Sequence, residues 1–181
     1  MKKNKSTFET NYWYGKELEN PFEVIDAFFE YAYLDYYKQG LAEAVLYMHK
    51  QEVYKKEYPG QLFVFYATLR SFVKACFYLQ YKGKKWQVRQ SSVGKSILYQ
   101  GALTKTEFAN PLTVFQSAFA AKSLDEFDFF LCEVVHIALS PSVVEFDSDL
   151  LTPYIHLIKM LDASQLMRER GLEKIKKKKQ P

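Results

Sequence analysis

An all-α fold is predicted by three features of the chain. Only 7 Gly and 6 Pro occur among 181 residues, so few breakers interrupt regular structure. Apolar residues recur at i, i+3 and i+4 over most of the length. Helix-opening and helix-stopping pairs punctuate that pattern at helix-length intervals. The expected architecture is a helical bundle of about six helices, with an irregular or short β-hairpin connector near 83–100. It is read as one helical domain over residues 20–170, within which residues 20–82 and 110–170 form two tandem three-helix units. A hydrophobic content of 48% suits a globular chain of this length.

Residues 1–19 read as a mobile lead-in, with Tyr12, Trp13 and Tyr14 tucked onto the body. Asn20-Pro21 opens the first helix. Asn can cap, and Pro is tolerated at the first helical position, where its missing N–H had no partner. Glu23 suits the positive end of the helix dipole. Val24, Ile25, Phe28 and Phe29 follow at helical spacing, and the pattern continues through Leu34, Tyr37, Leu41, Val45 and Met48. Pro59-Gly60 breaks the chain. The next helix covers residues 62–81, with Phe65, Leu69, Phe72, Val73 and Phe77 on its apolar side and Gly83 with flanking lysines at its end. Residues 86–99 fit neither template cleanly: Trp86 and Val88 alternate like a strand, while Val93, Ile97 and Leu98 suit a short helix.

Asn110-Pro111 opens another helix. Ser123 and Glu126 form a capping box ahead of a helix that is apolar nearly all round and ends at Ser140-Pro141. The last helix starts near Ser148 or Asp149 and runs into the basic tail. Residues 171–181, which include Lys176 to Lys179, read as a disordered basic tail.

Residues 20–48 laid over 110–138 without a gap give nine identities in twenty-nine, among them Asn20/Asn110, Pro21/Pro111, Phe29/Phe119, Leu41/Leu131 and Glu43/Glu133. This predicts a duplicated helical unit. Ser123 has no counterpart at Tyr33, so the first copy is expected to run through the break that the second makes.

Charge is segregated. Residues 58–106 hold eight Lys or Arg and no acid, whereas residues 107–162 hold nine acids against two bases. Blocks of one sign set the surface field and hence the partners. The candidate partner- or polyanion-binding residues are Arg70, Lys74, Lys82, Lys84, Lys85, Trp86, Arg89 and Lys95. Cations interleaved with aromatic rings suit phosphates and stacked bases. The central expectation is that these cations gather on one exposed patch, opposed by acids from later in the chain.

No catalytic constellation emerges. Ser92-Val93-Gly94-Lys95-Ser96 resembles the end of a phosphate-binding loop, but Arg89 stands where its first Gly belongs. Cys132 and His136 share a helical face, and with His156 they are the weak candidates for a metal or a thiol–imidazole pair. Glu43 and Glu133 recur at equivalent positions without the Glu-x-x-His pattern of a carboxylate metal site. Asp147 and Asp149 suit helix capping better than calcium.

The expectation is therefore a non-catalytic, cytosolic helical protein that binds a protein partner or forms a homodimer through aromatic-rich helix faces. It needs no cofactor or metal and has no membrane span, since no window reaches eighteen apolar residues. Two cysteines without paired spacing suit a reducing compartment. The alternative is a nucleic-acid-binding or regulatory protein using the basic stretch 70–105, with an enzyme as the third reading.

Overall fold

The structure is a computed structural model that describes residues 10–11, 17–18, 20–48, 50, 53–54, 60–89, 101–141 and 149–175. Among these it is all-α, with seven helices: α1 (Pro21–Tyr31), α2 (Leu34–Tyr47), α3 (Gly60–Leu79), α4 (Lys105–Ala109), α5 (Leu112–Ala121), α6 (Leu124–Ala138) and α7 (Leu151–Arg170). Four short strands accompany them: β1 (Thr10–Asn11), β2 (Glu17–Leu18), β3 (Trp86–Val88) and β4 (Leu172–Lys174). The chain divides into two units. Unit 1 takes residues 1–75 and 128–146, and unit 2 takes 76–127 and 147–181, so the division falls inside α3 and α6. Each unit draws on two separate stretches of the chain.

In unit 1, β1 pairs antiparallel with β2 inside the expected lead-in. Asn20 opens α1 by accepting the Phe22 N–H on its side-chain oxygen at 3.1 Å. The helix does not run on into α2. Ala32 and Tyr33 are both extended, and Tyr33 stands 87% exposed without capping through its side chain. The reason lies four residues later. A helix end leaves its last four carbonyls without an intrahelical donor, and one of these, on Phe28, accepts the buried Tyr37 hydroxyl. The two rings stack with centroids 3.7 Å apart, and Phe72 of α3 stacks on Phe28 at 4.5 Å. All three side chains are fully buried, each worth about 2–3 kcal/mol of transfer free energy.

Buried polar groups on α3 are satisfied within the helix. Thr68 Oγ1 donates to the Val64 carbonyl at 2.6 Å and Ser71 Oγ to that of Ala67 at 3.1 Å. By length and composition α3 could cross a membrane, contrary to the sequence expectation, and 56% of its apolar window is buried inside the fold. Length and apolarity therefore do not separate it from a core helix.

In unit 2, α5 packs on α7. Leu112, Val114, Phe115 and Ala118 meet a core that includes Leu157, Met160, Leu161, Leu166 and Met167. The turn into α6 uses the expected chemistry: Ser123 N–H donates to Glu126 Oε2 at 2.7 Å, and Glu126 N–H to Ser123 Oγ at 3.2 Å. Asp149 Oδ1 accepts the Thr152 N–H at 3.0 Å, near the start of α7.

Two features correct the sequence reading. Thr104 and Glu107 form a second capping box, which opens α4. The tail expected from residue 171 begins as β4, antiparallel to β3 with Trp86 opposite Lys174 and Val88 opposite Leu172. Gly171 makes this return, at φ 74°, a conformation side chains disfavour. Its carbonyl accepts the Arg89 N–H at 3.1 Å, and the Ile175 N–H donates to the Lys85 carbonyl at 3.0 Å.

α5 and α6 lie ninety residues beyond α1 and α2, to within one residue at each end. Equivalent positions are buried in both pairs: Val24/Val114, Ile25/Phe115, Phe28/Ala118, Tyr37/Phe127, Leu41/Leu131 and Ala44/Val134.

Two substitutions separate the forces in unit 1. Tyr37→Phe keeps the ring but strands the Phe28 carbonyl, and should cost about 1–2 kcal/mol. Gly40→Ala would gain helix propensity on an exposed face. Here its Cβ would stand 2.9 Å from Phe65 Cε2, so a net loss of about 1–3 kcal/mol is expected. Denaturant unfolding of the full chain checks both.

Candidate functional site

The basic stretch is divided between the units. Arg70 and Lys74 belong to unit 1, and Lys82, Lys85, Trp86 and Arg89 to unit 2. The side chain of Lys84 and all of Lys95 lie outside the described residues, as do the Ser92–Ser96 motif and Lys176 to Lys179. Arg70 is not free for a polyanion. Its Nε lies 2.6 and 2.9 Å from the two carboxylate oxygens of Asp128, and its Nη2 lies 2.6 Å from Oδ2. This fork suits a carboxylate and holds α3 to α6 within unit 1. The one-patch expectation therefore fails for Arg70, because an acid from the negative block already occupies it locally.

Beside that ion pair, α3 and α6 line a cleft of about 430 Å³ in unit 1. Phe63, Tyr66, Cys132, Val135, His136 and Leu139 contribute to its walls. Helical spacing explains the composition. Phe63, Tyr66 and Arg70 fall three and four apart on α3, while Phe129, Cys132 and His136 do the same on α6. Phe63 is 59% exposed and Phe129 62%, although both are large apolar side chains. Burial raises the Tyr66 hydroxyl above the usual phenol range, with the Asp128 carboxylate adding to the effect. It therefore stays protonated and can donate at neutral pH.

Among the described residues, no group of three or more His, Cys, Asp and Glu is arranged to hold a metal ion. Cys132 and His136 share the unit 1 cleft, while His156 belongs to unit 2. Cys76 is buried, and burial pushes its thiol well above the ordinary range. Glu43 is occupied structurally, accepting from Gln39 Nε2 at 2.8 Å and from the Tyr54 hydroxyl at 3.1 Å.

Unit 2 carries a separate cavity of about 640 Å³ beside β3 and β4. Trp86 and Arg89, both expected from the sequence, line it together with Gly83, Asn110 and Glu173. Asn110 and Glu173 were missed. Their contribution depends on where α4 ends and on the return of β4, and neither is marked by local periodicity.

The wall supplied by α4 needs support, since five residues cannot sustain a helix alone. Lys159 Nζ donates to both Glu107 oxygens, at 2.9 and 3.0 Å. Arg170 Nη1 donates to the Phe108 carbonyl at 2.7 Å, with its guanidinium 4.2 Å from the Phe108 ring centroid. The buried Asp162 was also missed. Its Oδ2 accepts the Ala102 N–H at 2.7 Å and so anchors the chain entering α4.

Two titrations follow. Burial alone would raise the Glu107 carboxyl, but Lys159 and the Thr104 N–H and hydroxyl outweigh it and hold the group below the ordinary carboxylate range. Burial, aided by the Lys159 charge, lowers His156 below the usual imidazole range. In both cases the unfolded chain binds the proton more readily than the fold does, so stability falls as pH falls. The His156 part is lost below about pH 6.5 and the Glu107 part below about pH 4.3. Glu107→Gln should cost about 1 kcal/mol at pH 7 and flatten the acid limb below pH 5, as read by urea unfolding across pH.

A scan against protein-family models, a search of the curated proteins and a search of the solved structures each found no match for this chain.

Proposed function

We propose that this is a non-catalytic helical protein that associates with a second copy of itself through the unit 1 cleft. The observation that carries this reading is the exposure of Phe63 and Phe129 on the two helices that form the cleft. Water-exposed phenyl rings beside a concave apolar surface gain free energy when a partner covers them. A two-fold contact uses the same patch twice, so one cleft with its protruding rings can serve both copies.

The surrounding polar groups support binding rather than chemistry. Asp128 holds Arg70 beside the cleft, so neither charge is free for chemistry. Two free cysteines fit a reducing, cytosolic setting. The matched bounds and burial of α1–α2 and α5–α6 favour descent from a duplicated helical unit.

Sedimentation velocity over a wide concentration range tests the association. Phe129→Asp, at an exposed position, should leave the fold intact and weaken the dimer roughly 30- to 1000-fold, as expected for an interface anchor. A chain that is monomeric at every concentration, with or without the substitution, would overturn the reading.

A further inference from the structure

The unit 2 cavity differs in kind from the unit 1 cleft, and its volume of about 640 Å³ lies within the rough 300–1,000 Å³ range of small-ligand sites. Three of its lining groups have complementary chemistry. Trp86 is half-buried and offers a flat π surface, with the Lys174 ammonium 5.5 Å from its ring centroid. Arg89 is exposed and carries a planar fork of donors matched to phosphate oxygens. Asn110 is exposed and supplies an amide that both donates and accepts.

Charge around the cavity points the same way. The two segments that supply most of its lining, residues 82–89 and 171–175, carry Lys82, Lys85, Arg89 and Lys174 among the described side chains, against the single acid Glu173. That acid is engaged, accepting from Gln87 Nε2 at 2.7 Å. An acidic peptide would use the cations but not the indole, and a neutral sugar would use the indole but not the cations. A flat heterocycle joined to a phosphate uses both.

We propose that this cavity binds one base and its adjoining phosphate from a single-stranded nucleic acid, with Trp86 stacking on the base and Arg89 meeting the phosphate. The inference is independent of self-association, which rests on unit 1. Sequence-tolerant stacking combined with a cationic track is how single strands are bound without a fixed recognition sequence.

The test is fluorescence polarisation of labelled oligo(U) and oligo(dT), titrated with full-length protein at low and moderate salt. Trp86→Ala should weaken binding roughly 5- to 100-fold, the loss of one stacked base. Trp86→Phe should retain most of the affinity. Arg89→Gln should weaken binding at low salt and lower the salt slope by about one phosphate contact. If Trp86→Ala unfolds, as judged by circular dichroism, the Phe and Gln variants decide the matter. Absence of binding to either strand at low salt would overturn the proposal. So would binding that ignores Trp86 and Arg89 and disappears only when Lys176 to Lys179 are neutralised.

Discussion

A two-residue turn between consecutive helices must satisfy the carbonyls that the first helix leaves open, and this constraint shapes both turns. At α1–α2 the Tyr37 hydroxyl reaches back to Phe28 from inside the core. At α5–α6 the Lys122 N–H serves the Ala118 carbonyl at 3.0 Å, and Ser123 with Glu126 caps the next helix. Phe127, which stands where Tyr37 would, has no hydroxyl and needs none. The first solution makes the turn depend on tertiary packing, since Tyr37 caps only when its ring is stacked between its neighbours. The second is local and can form before any packing.

That difference explains what could be read from the sequence. Asn20-Pro21, Ser123 with Glu126, and the apolar rows through Leu41 and Leu131 are short-range signals, and they placed α1, α2, α5 and α6 well. The α1–α2 break was hidden because its cap lies four residues into the following helix and looks like an ordinary core Tyr. β3 was partly legible, since Trp86 and Val88 alternate like a strand, but its partner β4 was hidden. Each is three residues long, and each is stabilised by a strand more than eighty residues away. No periodicity records such a pairing.

The charged residues divide into those that build the fold and those left at the surface. Arg70, Lys159 and Arg170 are held by Asp128, Glu107 and Phe108 respectively. Counting signs along the chain could not separate these from Lys85 and Arg89, which remain exposed. The candidate surfaces were therefore only partly legible. Trp86 and Arg89 were marked by composition, whereas the unit 1 cleft arises from two helix stripes that meet only in three dimensions. Its aromatic members are indistinguishable, as sequence, from the Phe and Tyr of the core.

Because unit 1 draws on residues 128–146 and unit 2 on residues beyond them, neither unit corresponds to one continuous stretch of polypeptide. During synthesis the ribosome delivers α1, α2 and most of α3 long before the part of α6 that completes their core. Nascent unit 1 lacks part of its core until residues 128–146 emerge. A single protease cut cannot liberate either half intact, and evolution could not readily have shuffled one of them into another gene.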